Sequence, residues 1–124
     1  MQDRRTSKTI HTIIQEMIQD IDRHYNEDLS LAGYAERFQI SQAYLSTSFK
    51  KITGAGFVDY LTQKRLRQAE VLLADTSLSI REIAAMTGYV NTKYFSQSFR
   101  KYTGSTPSDY RLRKTGTQTD HKEE

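Results

Sequence analysis

Apolar side chains recur at steps of three and four along most of this chain, the spacing of helices that bury one face and wet the other. The longest run is Phe57 to Ala74, FVDYLTQKRLRQAEVLLA, in which Val58, Leu61, Ala69 and Leu72, with Phe57, Leu66 and Leu73 alongside, predict one rod with no Pro or Gly inside it. Its 18 residues span roughly 27 Å at the helical rise. Asp75 and Ser77 read as its exit. Upstream, Ile10, Ile13, Ile14, Met17, Ile18, Ile21 and Tyr25 form a second stripe, with Glu16, Asp20, Asp22 and Arg23 on a solvated face.

Shorter helices are marked by their caps. Ser30 precedes Leu31–Phe38, where Leu31, Tyr34, Ala35 and Phe38 point inward and Gly33 costs ~1 kcal/mol relative to Ala. After Gln39-Ile40, Ser41 caps Gln42–Ile52, whose inward residues are Leu45, Phe49 and Ile52. Ser79 caps Ile80–Met86, with Ile80, Ile83 and Ala84 inward. Thr87-Gly88-Tyr89-Val90 is a turn, and Asn91 caps Thr92–Tyr102 around Phe95 and Phe99. Pro107 then opens a final short helix that ends near Arg113. Each pair of short helices joined by a tight turn is a helix-turn-helix candidate whose second helix would enter the major groove.

The two candidates are copies of one another. Leu29-Ser30-Leu31 answers to Leu78-Ser79-Ile80, and Ala35 to Ala84. One extra residue in the second turn shifts the register. Tyr44-Leu45-Ser46 then answers to Tyr94-Phe95-Ser96, Ser48-Phe49-Lys50-Lys51 to Ser98-Phe99-Arg100-Lys101, Thr53-Gly54 to Thr103-Gly104, and Asp59-Tyr60 to Asp109-Tyr110. Similarity over so many positions of mixed chemistry is the signature of a tandem duplication joined by the rod.

Composition narrows the function classes. A chain of 124 residues with 36% hydrophobic content supports one domain or two small subdomains. The net charge of +3 is mild, but Gly56 to Lys114 carries ten basic against five acidic residues, while Met1 to Ala55 has seven of each. Positive surface is therefore expected on the rod and the second unit. Cysteine is absent, which removes disulfides, thiolate metal sites and thiol nucleophiles. His11, His24 and His121 are too scattered for a metal site, and Gly54-Ala55-Gly56 is too short for a phosphate loop. No cofactor and no enzymatic activity are expected. There is no run of apolar residues long enough to span a membrane and no signal peptide, so a cytoplasmic protein without membrane association is the default.

Outward residues near the start of each second helix are the candidate base readers. They are Thr92, Lys93, Ser96 and Gln97 in the second unit, with Lys93 suited to guanine acceptors and Gln97 to adenine, and Gln42, Ala43, Ser46 and Thr47 in the first. The second set is richer in long donors and is expected to discriminate more. Lys50, Lys51, Arg65, Arg100 and Lys101, with some of Arg111, Arg113 and Lys114, are candidates for phosphate contact, and the helix starts at Ser41 and Asn91 offer amides to the same groups.

Ile83-Ala84, Gly88-Tyr89, Tyr94-Phe95-Ser96, Phe99-Arg100-Lys101, Gly104 and Thr106-Pro107-Ser108-Asp109-Tyr110-Arg111 together resemble the signature of the AraC/XylS family of bacterial transcription regulators. Leu61, Arg65, Leu66, Ala69 and Leu72-Leu73 resemble its linker helix, and the likeness runs from about residue 10 to 113. The resemblance implies an all-α, seven-helix domain of two homeodomain-like helix-turn-helix subdomains. Both recognition helices would then lie in successive major grooves of double-stranded DNA. It maps base reading to Ala43, Ser46 and Thr47 and to Thr92, Lys93, Ser96 and Gln97, and makes Arg65 an interdomain packing or salt-bridging arginine.

The expected plan is a disordered leader 1–9, a first subdomain 10–55, the linker helix 56–75, a second subdomain 76–114 and a disordered tail 115–124. One chain with two unlike reading helices is expected to recognise an asymmetric site. With no effector pocket of its own, the chain is expected to be the DNA-binding part of a sensor-coupled or response regulator, with an N-terminal sensor or receiver domain and RNA polymerase as further partners. A helical protein-interaction adaptor is the alternative.

Overall fold

The structure is a computed structural model that describes residues 8–116. The described residues form seven helices: α1 (Ile10–His24), α2 (Leu31–Phe38), α3 (Gln42–Thr53), α4 (Phe57–Asp75), α5 (Ile80–Met86), α6 (Thr92–Thr103) and α7 (Pro107–Thr115). They fall into two compact units, Met1–Thr62 and Gln63–Glu124. The leader and tail expected at residues 1–9 and 115–124 lie outside the described residues except at their inner ends. There Thr9 caps α1 by accepting from the Thr12 amide, Lys8 reaches Glu16 at 2.8 Å, and Thr115 completes α7.

The first unit closes on Ile13, Ile14, Met17 and Ile21 of α1, Tyr34 and Ala35 of α2, Leu45 and Phe49 of α3, and Phe57 and Leu61 from the start of α4. Its rings meet edge-on, Tyr34 with Phe57 at 5.9 Å, Phe49 with Phe57 at 5.8 Å and Phe49 with Tyr60 at 5.3 Å, the arrangement favoured by the aromatic quadrupole. Asp20 departs from the solvated role expected of it: it accepts from the Tyr34 hydroxyl at 2.6 Å and lies 3.5 Å from Arg37, fastening α1 to α2. Gly33 also has a reason. Its amide donates to the capping hydroxyl of Ser30, and a Cβ there would sit 3.1 Å from that oxygen.

The second unit closes on Leu66, Ala69 and Leu73 of α4, Ile80, Ile83 and Ala84 of α5, Tyr89, and Phe95 and Phe99 of α6. Ser79 and Glu82 form a reciprocal capping box at α5, which satisfies two of its unpaired amides.

Inside α4 the buried positions run 57, 61 and then 66, 69, 73. Three-and-four spacing holds within each set and is broken by the step of five between them, so the first residues serve one core and the later ones the other. Val58, expected inward, is 72% exposed in consequence.

The duplication extends to fine detail. Gly54 and Gly104 end α3 and α6 at φ 89° and 87°, a left-handed conformation that glycine adopts without strain. Just before them, Thr53 Oγ1 donates to Phe49 O at 2.8 Å and Thr103 Oγ1 to Phe99 O at 2.7 Å.

Candidate nucleic-acid interface

α3 turns Leu45, Ser48 and Phe49 into the first core, which leaves Gln42, Ala43, Ser46, Thr47, Lys50 and Lys51 exposed on its other side. Ser41 fixes where the helix begins, its Oγ accepting from the Tyr44 amide at 3.0 Å. The amides before Tyr44 have no partner within the helix, as in any first turn. Ser46, Thr47, Lys50, Lys51 and Gly56 line an open groove of about 440 Å³, so hydroxyls and two cations share one surface.

α6 repeats the design. Phe95, Ser98 and Phe99 are buried, Asn91 Oδ1 accepts from the Tyr94 amide at 2.9 Å, and Lys93, Gln97, Arg100 and Lys101 are exposed. Thr92 is half-buried. Ser96 differs from its counterpart Ser46: it too is half-buried, and its Oγ is enclosed without a hydrogen-bond partner. The outward polar set at the start of α6 therefore centres on Lys93 and Gln97.

Arg65 is half-buried, its guanidinium carbon 5.8 Å from the centre of the Tyr89 ring. It packs within the second unit, where a cation over an aromatic face is favourable. Arg111 is 3% exposed, and its guanidinium is turned to the end of α4. It does not belong with the surface cations. Arg113 donates to the Ser105 hydroxyl, and the Lys114 ammonium lies 5.5 Å from the Tyr110 ring.

Two residues not singled out as readers lie on the same surfaces. Tyr44 and Tyr94, matched positions of the repeat in the first turns of α3 and α6, are 52% and 61% exposed. Their alternation with buried Leu45 and Phe95 was visible in the sequence, but a tyrosine beside a core position reads equally well as core.

A cavity of about 620 Å³ in the first unit reaches Tyr44 and is otherwise lined by Lys8, Ile10, Ile13, Glu16, Arg37, Phe38, Gln39 and Ile40. Glu16 there is paired with Lys8, and Arg37 lies over the Phe38 ring at 5.1 Å. Among the described residues no cluster of three His, Asp or Glu is placed to hold a metal ion, and no helix is long and apolar enough to cross a membrane.

The family described as "Helix-turn-helix domain" matches residues 34–113. The regulatory protein SoxS of Escherichia coli K12 is 40% identical over 101 residues, which cover 82% of this chain and 94% of SoxS. YijO of the same strain, an uncharacterized HTH-type transcriptional regulator, is 41% identical over 97 residues, but the chain spans only 34% of its length. Among solved structures, the C-terminal domain of AraT, a response regulator from Geobacillus stearothermophilus, superposes with a TM-score of 0.82 at 36% identity, covering 92% of this chain and 96% of that one. The DNA-binding domain of AdpA, solved in complex with a target DNA, gives 0.77 at 26% identity over 81% of this chain and 90% of its own. Profile, relatives and fold agree with the repeated helix-turn-helix geometry: the chain belongs to the AraC/XylS family of helix-turn-helix transcription regulators.

Proposed function

We propose that this chain binds double-stranded DNA in a sequence-specific manner and thereby regulates bacterial transcription, with α3 and α6 each reading a segment of major groove. The observation that carries the reading is the repeated face. In both units a side-chain-capped helix buries a phenylalanine and presents exposed polar residues early and a pair of cations late. Lys93 reads guanine acceptors and Gln97 adenine, Gln42 supplies the one long donor of the first unit, and Ala43, Ser46, Thr47 and Thr92 give short contacts. Lys50, Lys51, Arg100 and Lys101, with the first-turn amides beside Ser41 and Asn91, hold phosphates.

By analogy with AraT, whose matched part is the C-terminal domain of a response regulator, the chain acts in the cytoplasm as the DNA-binding part of a regulator coupled to an N-terminal sensor or receiver domain. RNA polymerase is its further partner. The test is selection from a random duplex pool followed by gel shift. Enrichment of one asymmetric sequence, bound by the isolated chain, is expected. Binding to no duplex in preference to another would leave the helical adaptor reading in its place.

A further inference from the structure

The two helix-turn-helix units differ in length by one residue, and their backbone hydrogen bonds locate it. In the first unit the Ile40 amide donates to Ala35 O at 3.0 Å, and the next residue, Ser41, caps α3. In the second the Tyr89 amide donates to Ala84 O at 2.9 Å, but the cap of α6 is Asn91, one position further on. Ala35 and Ala84 are matched residues of the repeat, so Ile40 and Tyr89 are equivalent and the extra residue is Val90.

Burial agrees with this assignment. Ile40 packs half-buried against its core, Tyr89 is 7% exposed with its ring 5.3 Å from Phe95, and Val90 is 103% exposed. An apolar residue ahead of a cap ordinarily packs on the fourth residue of the helix. For α6 that residue is Phe95, and Tyr89 already meets it. Val90 contributes nothing to the core, yet it stands directly before the end of α6 that carries Lys93.

Base edges in the major groove offer one apolar group, the C5-methyl of thymine. We propose that Val90 is a specificity-determining residue that packs on a thymine methyl beside the bases read by Lys93 and Gln97. The inference rests on the proposed reading of α6 as a groove helix. The repeat then has an asymmetric purpose: the inserted residue gives the second unit an apolar contact for which the first has no equivalent position.

The experiment uses the full 124-residue chain and the duplex enriched from a random pool. Each thymine of that duplex is replaced in turn by deoxyuridine, which lacks only the methyl. Affinities are compared for the wild type, Val90→Ala, and Val58→Ala as an exposed apolar control on α4. At one thymine, methyl removal is expected to weaken the wild type and Val58→Ala roughly fourfold, the worth of about one buried methyl group, while Val90→Ala binds both duplexes equally. A Val90→Ala profile superimposable on that of the wild type overturns the inference. If no duplex is enriched at all, the groove reading of α6 fails first and takes this inference with it.

Discussion

Arg111 Nε donates to the backbone carbonyl of Leu73 at 3.1 Å, and its Nη2 reaches Thr76 O at 3.3 Å. The last carbonyls of a helix have no partner within it and carry the negative end of its dipole. A buried guanidinium placed there satisfies them and finds its own counter-charge. In the first unit the matched position is Leu61, an ordinary core residue, so the two copies use one position differently: for packing in the first, and as a fastening between α7 and α4 in the second. Arg111→Met keeps most of the volume and removes the donors. It is expected to cost about 1–3 kcal/mol, the range for orphaning buried acceptors, seen as a lower urea midpoint. The salt dependence of DNA binding should not change, because this arginine is turned away from the surface.

Tyr34 presents a second buried fastening, its hydroxyl donating to Asp20. Burial foremost, and then that hydrogen bond, push its ionisation well above the ordinary tyrosine range. Because the folded value is raised, its contribution to stability is fully present below about pH 10 and is lost as pH rises beyond that, by up to about 1.4 kcal/mol per pH unit. Tyr89 and Tyr110 are raised in the same direction, also chiefly by burial. Urea midpoints measured from about pH 8 to 11 should fall at the alkaline end. Tyr34→Phe should lower the neutral plateau by about 1 kcal/mol and make the alkaline fall shallower.

Electrostatic binding should divide the cations by their environment. Lys50, Lys51, Arg100 and Lys101 are exposed, and if they neutralise phosphates the affinity falls linearly on a log-log plot against salt. Lys101→Ala should reduce that slope by roughly one and weaken all sequences alike. Arg65→Ala should leave the slope unchanged and instead lower the unfolding midpoint, because its guanidinium lies over the Tyr89 ring. A slope change for Arg65→Ala as large as that for Lys101→Ala would place Arg65 on the backbone of the DNA after all.

Local chemistry explains which parts of this architecture were legible in the sequence. Ser30, Ser41, Ser79 and Asn91 cap the helices they were expected to cap, each by accepting a first-turn amide, because a cap depends on three or four consecutive residues. Leu45, Phe49, Phe95 and Phe99 are buried for the same kind of reason, since periodicity alone selects their face. What was not legible depends on partners distant in the chain. Nothing adjacent to Arg111 announces carbonyls 38 residues away, nothing near Asp20 announces Tyr34, and Val58 fits the periodic stripe of the rod although the helix changes the core it serves a few residues later. The inserted residue was countable in the sequence, but its identity as Val90 needed the paired hydrogen bonds of Ile40 and Tyr89.

The ordering of base discrimination follows from how each reading residue is exposed. Lys93 and Gln97 are long, outward and near the start of α6, so Lys93→Ala or Gln97→Ala should relax sequence choice by about 1–3 kcal/mol for each good base pairing removed. Ser46→Ala and Thr47→Ala remove only short hydroxyls from α3 and should cost less discrimination. Ser96 separates from this group. Its hydroxyl oxygen is enclosed without a partner, a state that carries a desolvation cost with no compensating bond. Ser96→Ala should therefore leave the base preferences of the second half-site intact and raise stability by about 1 kcal/mol. Competition binding against duplexes changed one base pair at a time, together with urea unfolding of the same variants, measures both quantities. Discrimination reduced in Ser96→Ala to the extent seen for Gln97→Ala would mean that its hydroxyl turns outward to meet a base when DNA is bound. Larger losses from Ser46→Ala or Thr47→Ala than from Lys93→Ala would make α3 the dominant reader.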